Sequence, residues 1–529
     1  MAFDVIVIGS GFGGAITGCR LAEGGYKVLI LERGRRWDKT TYPRKPSDPW
    51  MWKSECPEKE NGWLELHVFP HMAVAQGAGV GGGSLIYANI SCEAPKSAFA
   101  EGWPKEITYD VLKPHYDTVA EFMNVDQVPD NQWTRKMKLM KEAAEKIGEK
   151  ERFKKLELAV TFDPDWTYEQ DDPHNPAKSK RKKNKQEVEQ GTCVHLGNCD
   201  IGCDVDAKNT LDLNYIPQAV KYGAEVRPLH LVTNIEPTSG GYKVFFDRLE
   251  GGQRIPGNET ARIVIVAASS LGSTELLLRC RDINKTLPNL SAFLGHDWSS
   301  NGDFLTPAFY PGREIVPTKG PTIAAAIDFL DRSVDNRSFW IQDGGFPDLL
   351  GDYVKREQSA TTGLQGVWAK LLIEAFGHML RDSSQPFHNV MPWFAQGVDA
   401  ANGQLSLHHE IFSGKPKLNL AWDIGKSKEL IDTIVSMHLR LSAATGGLPV
   451  VPPTWSVMNY LITPHPLGGC CMGDTPNDGV VNHAGEVFGY RNLYVADAAI
   501  IPEALGVNPS RTIGALAERI AKMIKDEGR

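Results

Sequence analysis

The sequence predicts an α/β protein whose core begins with two short, buried parallel strands. Residues 4–8 (Asp-Val-Ile-Val-Ile) and 27–31 (Lys-Val-Leu-Ile-Leu) are brief, apolar and rich in β-branched side chains, which favours buried strands over helices. A glycine-rich turn follows the first of them. Further on, residues 261–278 have the pattern of an apolar strand, a Gly/Ser turn and the start of a helix. That pattern fits a later strand of the same sheet.

The turn after the first strand has the spacing G-x-G-x-x-G, which is typical of dinucleotide binding. Such glycines permit a tight turn, let the backbone approach a pyrophosphate and let the next helix pack closely, while the N-terminus of that helix attracts negative charge. Glu32 ends the second strand, where a carboxylate can bind a ribose hydroxyl and would repel a 2′-phosphate. The motif does not distinguish NAD from FAD. Its predicted cofactor-binding residues are Gly9, Gly11, Phe12, Gly13 and Gly14.

A second glycine cluster begins at Gly77 and runs on into an apolar Leu-Ile-Tyr-Ala segment before Asn89. Dense glycine exposes backbone N–H groups and removes side-chain bulk, which suits contact with phosphates or an isoalloxazine ring. A flexible loop is the alternative, although such loops rarely continue as an apolar segment. We therefore expect Gly77 and the cluster after it to contact the cofactor.

Length, charge and cysteine content narrow the class of protein. A chain of 529 residues can form two interleaved domains, and its net charge of −8 gives no reason to expect a nucleic-acid partner. It opens with a core strand, and no apolar run approaches the roughly 20 residues of a membrane span. We expect no membrane span and a cytoplasmic location. Nine cysteines, an odd number, indicate mostly reduced thiols rather than a disulfide framework.

Four ordered motifs together resemble the glucose-methanol-choline (GMC) oxidoreductases and, within them, the cholesterol-oxidase-like branch. The resemblance implies FAD rather than NAD. It also implies a Rossmann-like FAD-binding domain interleaved with a substrate domain built on a mostly antiparallel sheet. The motifs are GSGFGGA (9–15), GVGGGSLIYAN (79–89), AASSLGSTELLL (267–278) and a tail with HPLGGC (465–470) and GVNPSRTIGALAERIA (506–521).

The same resemblance implies the domain boundaries and the cofactor contacts. The FAD-binding domain would comprise residues 1–95, 190–300 and 463–529, and the substrate domain residues 96–189 and 301–462. The pyrophosphate would lie at the first glycine motif and a ribose at Glu32. The flavin end would lie under the second glycine cluster and the tail. The further contacts are Gly81, Gly82, Gly83, Ser84 and Asn89 near the flavin, Val232 near the adenine, Asp497 at the phosphate-ribitol, and Asn508 and Pro509 at the pyrimidine edge.

The tail supplies the candidate catalytic residues. Flavin N5 accepts a hydride, but an alcohol releases one readily only if its hydroxyl proton leaves to a base. His465 occupies the family's HPLGGC position and is the candidate base, since a histidine titrates near neutrality. The alternative is that His465 only caps a rigid turn between two prolines. Asn508 matches the family's Asn-Pro and would hydrogen-bond the alcohol oxygen.

The resemblance to the cholesterol-oxidase-like branch implies a hydrophobic, cyclic or steroid-like alcohol that is oxidised to a ketone or aldehyde. An apolar stripe at helical spacing predicts a helix that either packs on the core or covers a pocket, with Phe387, Met391, Trp393 and Phe394 nearby. The related branch uses a substrate-domain glutamate to isomerise a steroid double bond. Residues 385–393 contain no acid, which argues against isomerisation and against cholesterol itself. The stripe comprises Leu364, Val367, Trp368, Leu371, Leu372, Ala375, Phe376, Met379 and Leu380.

Three cysteines, Cys193, Cys199 and Cys203, lie on one short stretch that we call the cysteine loop. Three thiolates can hold a [3Fe–4S] cluster, and the loop resembles that of FAD-dependent sugar dehydrogenases. With a cluster, the enzyme would oxidise a sugar or other polyol and pass electrons to an acceptor protein or quinone. Reduced structural thiols, zinc or a disulfide are the alternatives. A GMC-type lyase and a non-catalytic flavin-binding protein are the alternatives to oxidation.

Residues 178–185 carry six basic side chains in eight positions. Such a run is usually a solvated insertion. Docking of an electron acceptor or of an anionic membrane surface is the alternative.

Overall fold

The computed structural model describes residues 3–349, 387–409 and 416–528. The apolar stripe predicted at 364–380 lies outside these ranges. Within the described part of the chain, no helix combines the length and apolar character needed to cross a bilayer.

The strands and the main helices follow one another in this order. The strands are β1 (Phe3–Ile8), β2 (Val28–Leu31), β3 (Leu64–Val68), β4 (Met72–Gly77), β5 (Phe153–Lys155), β6 (Lys182–Lys183), β7 (Glu189–Gln190), β8 (Glu225–Arg227), β9 (His230–Thr238), β10 (Gly241–Glu250), β11 (Gln253–Val266), β12 (Phe304–Phe309), β13 (Ala325–Val334), β14 (Arg337–Asp343), β15 (Val390–Gly397), β16 (Gln404–His409), β17 (Pro416–Ala421), β18 (Leu448–Pro449), β19 (Leu461–Thr463) and β20 (Leu493–Val495). The helices are α1 (Phe12–Glu23), α2 (Tyr109–Phe122), α3 (Arg135–Lys146), α4 (Tyr215–Lys221), α5 (Ser269–Leu278), α6 (Lys428–Thr445), α7 (Pro453–Ser456) and α8 (Ser510–Asp526).

A seven-stranded sheet contains strands from near both ends of the chain, β1 and β20. Strands β8, β2, β1 and β11 lie side by side and parallel, and β20 extends this parallel set beyond β11. The N-terminal part of β11 also pairs antiparallel with β10, which pairs with β9. The three predicted strands near residues 4–8, 27–31 and 261–266 are therefore neighbours in one sheet. Their side chains are almost wholly buried, as expected for parallel strands covered on both faces.

A six-stranded sheet has the order β18-β12-β15-β14-β13-β5, and its recorded pairings are antiparallel. The predicted α/β fold with a mostly antiparallel second sheet is confirmed. Helix α6 covers one face, where His438 Nδ1 lies 2.9 Å from Thr306 Oγ1. Because strand side chains alternate between faces, Leu305 points to the opposite face. The domain boundaries themselves stay a prediction.

A small sheet, β19-β4-β3, links the second glycine cluster to the HPLGGC segment of the tail. Strand β19 runs parallel to β4, and β3 pairs antiparallel with β4 on its other side. Strand β4 ends at Gly77, where the second glycine cluster starts, and β19 ends two residues before His465. The pairing therefore fixes the start of the second glycine cluster and the HPLGGC segment relative to one another.

The basic run at 178–185 forms part of a surface hairpin, with β6 paired to β7. Four of its side chains make ion pairs with carboxylates of the same chain. This arrangement agrees with the predicted solvated insertion and leaves fewer free charges for a docking partner. The ion pairs are Lys180–Asp163, Lys180–Asp165, Arg181–Asp206, Lys183–Glu187 and Lys185–Glu121.

The first glycine turn is packed against the backbone of both neighbouring parallel strands. A Cβ added to Gly9, which has φ +99°, would lie 2.3 Å from the carbonyl oxygen of Ala267, just after β11. A Cβ on Gly13 would lie 1.6 Å from the carbonyl oxygen of Ala496, just after β20. The absence of side chains here lets α1 begin where these two strands end.

We expect Gly13→Ala to destabilise the fold by about 3 kcal/mol or more, because backbone atoms of Ala496 cannot move aside as a side chain would. Thermal unfolding followed by circular dichroism measures the change. The matched control is Gly24→Ala at the other end of α1, where a Cβ would meet the flexible side chain of Lys525. Equal transition temperatures for the two variants would contradict the packing argument.

Candidate active site

His465 lies in the loop after β19 and is fixed by neighbours on two sides. Its backbone N–H donates to Thr463 Oγ1 at 2.8 Å. Its Nδ1 lies 2.9 and 2.8 Å from the two carboxylate oxygens of Asp303, a residue buried directly before β12. Thr463 Oγ1 in turn lies 2.5 Å from Asp303 Oδ2. The histidine that the tail predicted is therefore paired with a carboxylate that the sequence analysis did not identify.

Asn508, the second predicted catalytic residue, lies on the other side of the imidazole. Its Nδ2 is 3.3 Å from His465 Nε2, and its Oδ1 accepts a hydrogen bond from Gln342 Nε2 at 2.8 Å. Asn508 is buried, and Pro509 directly precedes α8, so the helix start fixes the amide. The structure thus brings the two predicted catalytic side chains into contact.

One face of the six-stranded sheet lies beneath these groups, and we call this face the floor of the site. Gln396 in β15 pairs in register with Trp340 in β14, and its side chain lies 2.9 Å from His465 Nδ1. The indole N–H of Trp340 donates to Gln396 Oε1 at 2.9 Å. One residue pair further along the same face, Phe394 pairs in register with Leu305 on one side. The floor therefore changes from polar to apolar within one step of the strand.

Burial acts strongly on the acidic groups near the tail. It raises the pKa of Asp303, against the opposing effects of the His465 charge and of hydrogen bonds from His465, Thr463 and Gln396. Burial also raises the pKa of Asp497 to about 6. The cause is the same for both carboxyl groups, since loss of solvent penalises the charged form.

The two predicted glycine clusters lie against one another. A Cβ on Gly82 would be 2.6 Å from Gly11 Cα, and one on Gly77 would be 2.6 Å from the carbonyl oxygen of Gly82. By contrast, a Cβ on Gly83 would meet no atom within 4 Å. Phe12 contacts Tyr87 edge to face, with ring centroids 5.6 Å apart. The clusters thus form one cradle of backbone, which is the surface that a pyrophosphate requires.

The buried side-chain amide of Asn89 is the strongest structural indication of a bound cofactor. It has φ +69° and is fully buried, and neither Oδ1 nor Nδ2 has a hydrogen-bond partner among the described residues. A buried polar group without a partner costs about 1–3 kcal/mol, so this amide requires a partner that the polypeptide does not provide. It lies one residue before Ile90, whose carbonyl accepts from Ser510 at the start of α8. The residues present therefore fit FAD between cradle and tail.

Other predicted cofactor residues have polar atoms that the protein itself uses. Glu32 accepts hydrogen bonds from Ser10 and from the backbone of Gly34. Ser84 Oγ donates to the carbonyl of Gly81 at 2.7 Å. Their cofactor contacts stay predictions.

Two more predicted contacts lie near the ends of the sheet strands. Asp497 binds the N-terminus of α5 through the backbone of Ser269 at 2.8 Å and the hydroxyl of Ser273 at 2.5 Å. Val232 lies in β9, near His230, whose N–H donates to the Glu32 carbonyl. Asp497 therefore has a structural role in joining tail and sheet, whatever its contact with the cofactor.

The cysteine loop does not form the predicted ligand set. In the ranges that the structure describes, no three His, Cys, Asp or Glu side chains are arranged to hold a metal ion. Cys193, Cys199 and Cys203 are free thiols. Burial raises the pKa of the Cys203 thiol to about 11 and also raises that of Cys193. These residues fit the alternative of reduced structural thiols, and the iron–sulfur alternative stays a prediction.

Comparison with known proteins agrees with this site. Residues 400–517 match the GMC oxidoreductase family. Over 99% of its length, the chain is 30% identical to a cholesterol oxidase of Acinetobacter baumannii, covering 94% of that protein. It is 25% identical over 98% of its length to a 2-methyl-1,2-propanediol dehydrogenase of Mycolicibacterium austroafricanum, of which it covers 95%.

Solved structures show the same fold. The formate oxidase of Aspergillus oryzae superposes with a TM-score of 0.66 over 99% of this chain and 98% of that one, at 14% identity. The pyridoxine 4-oxidase of Mesorbium loti does so with 0.62 over 98% of each chain, also at 14% identity. The family match and these relatives, together with the cradle and the His-Asn pair, identify a flavin-dependent alcohol oxidoreductase. The chain belongs to the GMC oxidoreductase family, whose members bind FAD.

Three side chains of the site were missed by the sequence analysis, namely Asp303, Gln342 and Gln396. Each lies in or directly before a strand of the six-stranded sheet, outside any glycine-rich or tail motif. Asp303 follows Asn-Gly and precedes an apolar strand, which is a weak local signal for an acid at a strand end.

We expect Asn89→Gly to weaken FAD binding about 5- to 150-fold, because it keeps the left-handed backbone and removes only the amide. Ultrafiltration of diluted holoprotein gives the dissociation constant. Asn124→Gly is the matched control, since Asn124 is also left-handed (φ +50°) but exposed. If the two variants retained FAD equally, Asn89 would not be a cofactor contact.

Proposed function

We propose that the protein oxidises a hydrophobic, cyclic or steroid-like alcohol to a ketone or aldehyde, with His465 as the base. The observation that carries the proposal is the contact of His465 Nε2 with Asn508 Nδ2 at 3.3 Å. An alcohol oxygen that contacts both groups would give its proton to Nε2 and accept a hydrogen bond from Nδ2. When bound, FAD supplies the two-electron acceptor for the hydride of the alcohol carbon.

The tail and the second glycine cluster are tied together beside this pair. The thiol of Cys92 donates to the backbone carbonyl of Asn508 at 3.6 Å, and Ser510 Oγ donates to the carbonyl of Ile90 at 2.9 Å. Residues 89–92 and 508–510 are thus held side by side. This contact supports the predicted position of Asn508 and Pro509 at the flavin end of the cofactor.

The apolar half of the floor supports a hydrophobic substrate. Leu305 is 39% exposed although it lies on the sheet face that carries the polar site. The Phe394 ring, in register with Leu305, has its centroid 6.4 Å from that of His465. Covering such surface with an apolar substrate is worth roughly 25 cal/mol for each Å² removed from water. The cholesterol oxidase relatives agree with a substrate of this character.

The electron acceptor stays a prediction, because the relatives named above include both oxidases and a dehydrogenase. Oxygen consumption with release of hydrogen peroxide would identify an oxidase. Reduction of a dye or quinone without peroxide would identify a dehydrogenase. A lyase with a structural flavin predicts that no alcohol bleaches the flavin absorbance under anaerobic conditions.

We expect His465→Ala to keep its flavin while anaerobic flavin reduction by alcohol slows by about two to four orders of magnitude, the usual scale for loss of a general base. Stopped-flow absorbance measures this rate. His408→Ala is the control, since His408 is an exposed histidine of β16. An undiminished rate in His465→Ala would remove this histidine from the mechanism.

We expect Leu305→Ser to lower kcat/KM for apolar cyclic alcohols about 5- to 10-fold, and to change that for small polar alcohols far less, because only the former would cover this side chain. Steady-state kinetics with both substrate classes tests this difference. Leu439→Ser on α6 is the control, with a similar exposure of 37% but on the outer surface of that helix. An equal effect on both classes of alcohol would argue against an apolar substrate floor.

A further inference from the structure

We propose that Asp303 is a positioning residue for His465: its carboxylate holds the imidazole proton on Nδ1 and leaves Nε2 as the nitrogen that takes the hydroxyl proton. The inference rests on the proposed role of His465 as base. It identifies the residue that determines which imidazole nitrogen of His465 accepts the proton. Neither the tail motif nor the sequence around Asp303 reveals this.

The geometry at Nδ1 requires a donor there. Both oxygens of the buried Asp303 carboxylate lie within 2.9 Å of this nitrogen, and an ionised carboxylate only accepts hydrogen bonds. A proton on Nδ1 satisfies the contact. Without that proton, the lone pair of Nδ1 would face the lone pairs of both carboxylate oxygens, which is unfavourable. Charge-assisted bonds of this length are also among the strongest in proteins.

A chain of hydrogen bonds fixes the orientation of Gln396. Trp340 Nε1 can only donate, so the atom of Gln396 that faces it must be the oxygen. The amide nitrogen of Gln396 therefore faces His465 and Asp303. This nitrogen lies 2.9 Å from His465 Nδ1 and also contributes a hydrogen bond to the Asp303 carboxylate. With the Nδ1 proton directed at Asp303, the Gln396 N–H donates to the carboxylate rather than to Nδ1.

Asp303 thus receives donors from three directions, namely His465, Thr463 and Gln396. Burial raises the pKa of Asp303, and these three hydrogen bonds oppose that effect by stabilising the ionised form. The groups packed against the His465–Asp303 pair are Thr463, Gln396, Asn508 and Phe394, none of which carries a charge. The charge state of the pair is therefore determined mainly by the interaction between His465 and Asp303.

The other face of the imidazole agrees with the same tautomer. Gln342 Nε2 donates to Asn508 Oδ1, which turns the Asn508 amide nitrogen toward Nε2. An N–H that faces Nε2 requires a lone pair there. The mirror arrangement, with both amides reversed, would place a proton on Nε2 and leave Nδ1 bare against the Asp303 carboxylate. The ionised carboxylate therefore decides between the two networks.

The proton balance of the step follows from this tautomer. The hydroxyl O–H bond of the alcohol breaks and its proton forms a bond to Nε2, while the Nδ1 proton stays in place. FAD, when bound, would supply the two-electron acceptor for the hydride of the alcohol carbon, and the C–O bond would become a carbonyl. The resulting imidazolium lies beside the Asp303 carboxylate, which stabilises its positive charge.

Asp303→Asn tests the proposal in the holoenzyme. We expect the anaerobic rate of flavin reduction to fall at least about 100-fold, with little change in the substrate dissociation constant, because an amide no longer enforces one tautomer. Without the negative charge, the acid limb of the pH–rate profile should move to lower pH by about one unit or more. Asp303→Glu should restore part of the rate, since it keeps the charge.

The control is Asp399→Asn, which removes another buried carboxylate, one held by Ser299 and Ser300 and without contact to His465. It should keep the wild-type pH profile. If Asp303→Asn kept the wild-type rate and profile, or if Asp399→Asn shifted the acid limb equally, Asp303 would have no positioning role.

A spectroscopic test on the unaltered protein needs no folded Asp303 variant. ¹⁵N-imidazole labelling, with His465→Gln to identify the His465 signals, should show a protonated Nδ1 and an unprotonated Nε2 above neutral pH. The opposite tautomer would overturn the proposal. Loss of activity in His465→Ala together with the opposite tautomer would leave the proposed function standing and reject only the role of Asp303.

Discussion

The carboxylate of Asp497 connects segments that lie 228 residues apart and joins the tail to the start of α5. It accepts hydrogen bonds from Ser269 and Ser273 at the start of α5, and from Ala499 within the tail itself. The backbone of Ala496, the residue before Asp497, packs directly against Gly13. His465 and Asn508 lie on either side of this junction along the chain, so the junction helps to bring both toward the glycine cradle.

The floor of the site combines two kinds of surface within adjacent register positions. Asp303, Gln396 and Trp340 form a polar network in which each donor has an acceptor, and Leu305 and Phe394 follow on the same face. Burying the polar network is tolerable because its hydrogen bonds are satisfied. The abrupt change places proton transfer beside an apolar surface, which suits an alcohol whose carbon skeleton is hydrophobic.

Local motifs allowed prediction of much of the cofactor fold and of the pair His465 and Asn508. A strand followed by glycines, or a histidine between two prolines, is visible within a few residues. Asp303, Gln342 and Gln396 could not be found this way, because they meet only through antiparallel pairing of strands distant in sequence. The polar contacts of Glu32 and Ser84 show a related limit. A motif locates such a side chain but does not reveal which partner satisfies it.

Strands from near both ends of the chain, β1 and β20, belong to one sheet, and this has a consequence for synthesis. Strand β1 finds its partner β11 only after some 260 residues have been made, and α1 packs against α8, where Arg20 pairs with Glu518. Because the chain is made at a limited rate, this edge of β1 must wait for its partner. The growing chain can therefore pair β1 with β2 early, but the other edge of β1 keeps its backbone N–H and C=O groups without a strand partner until β11 has been made.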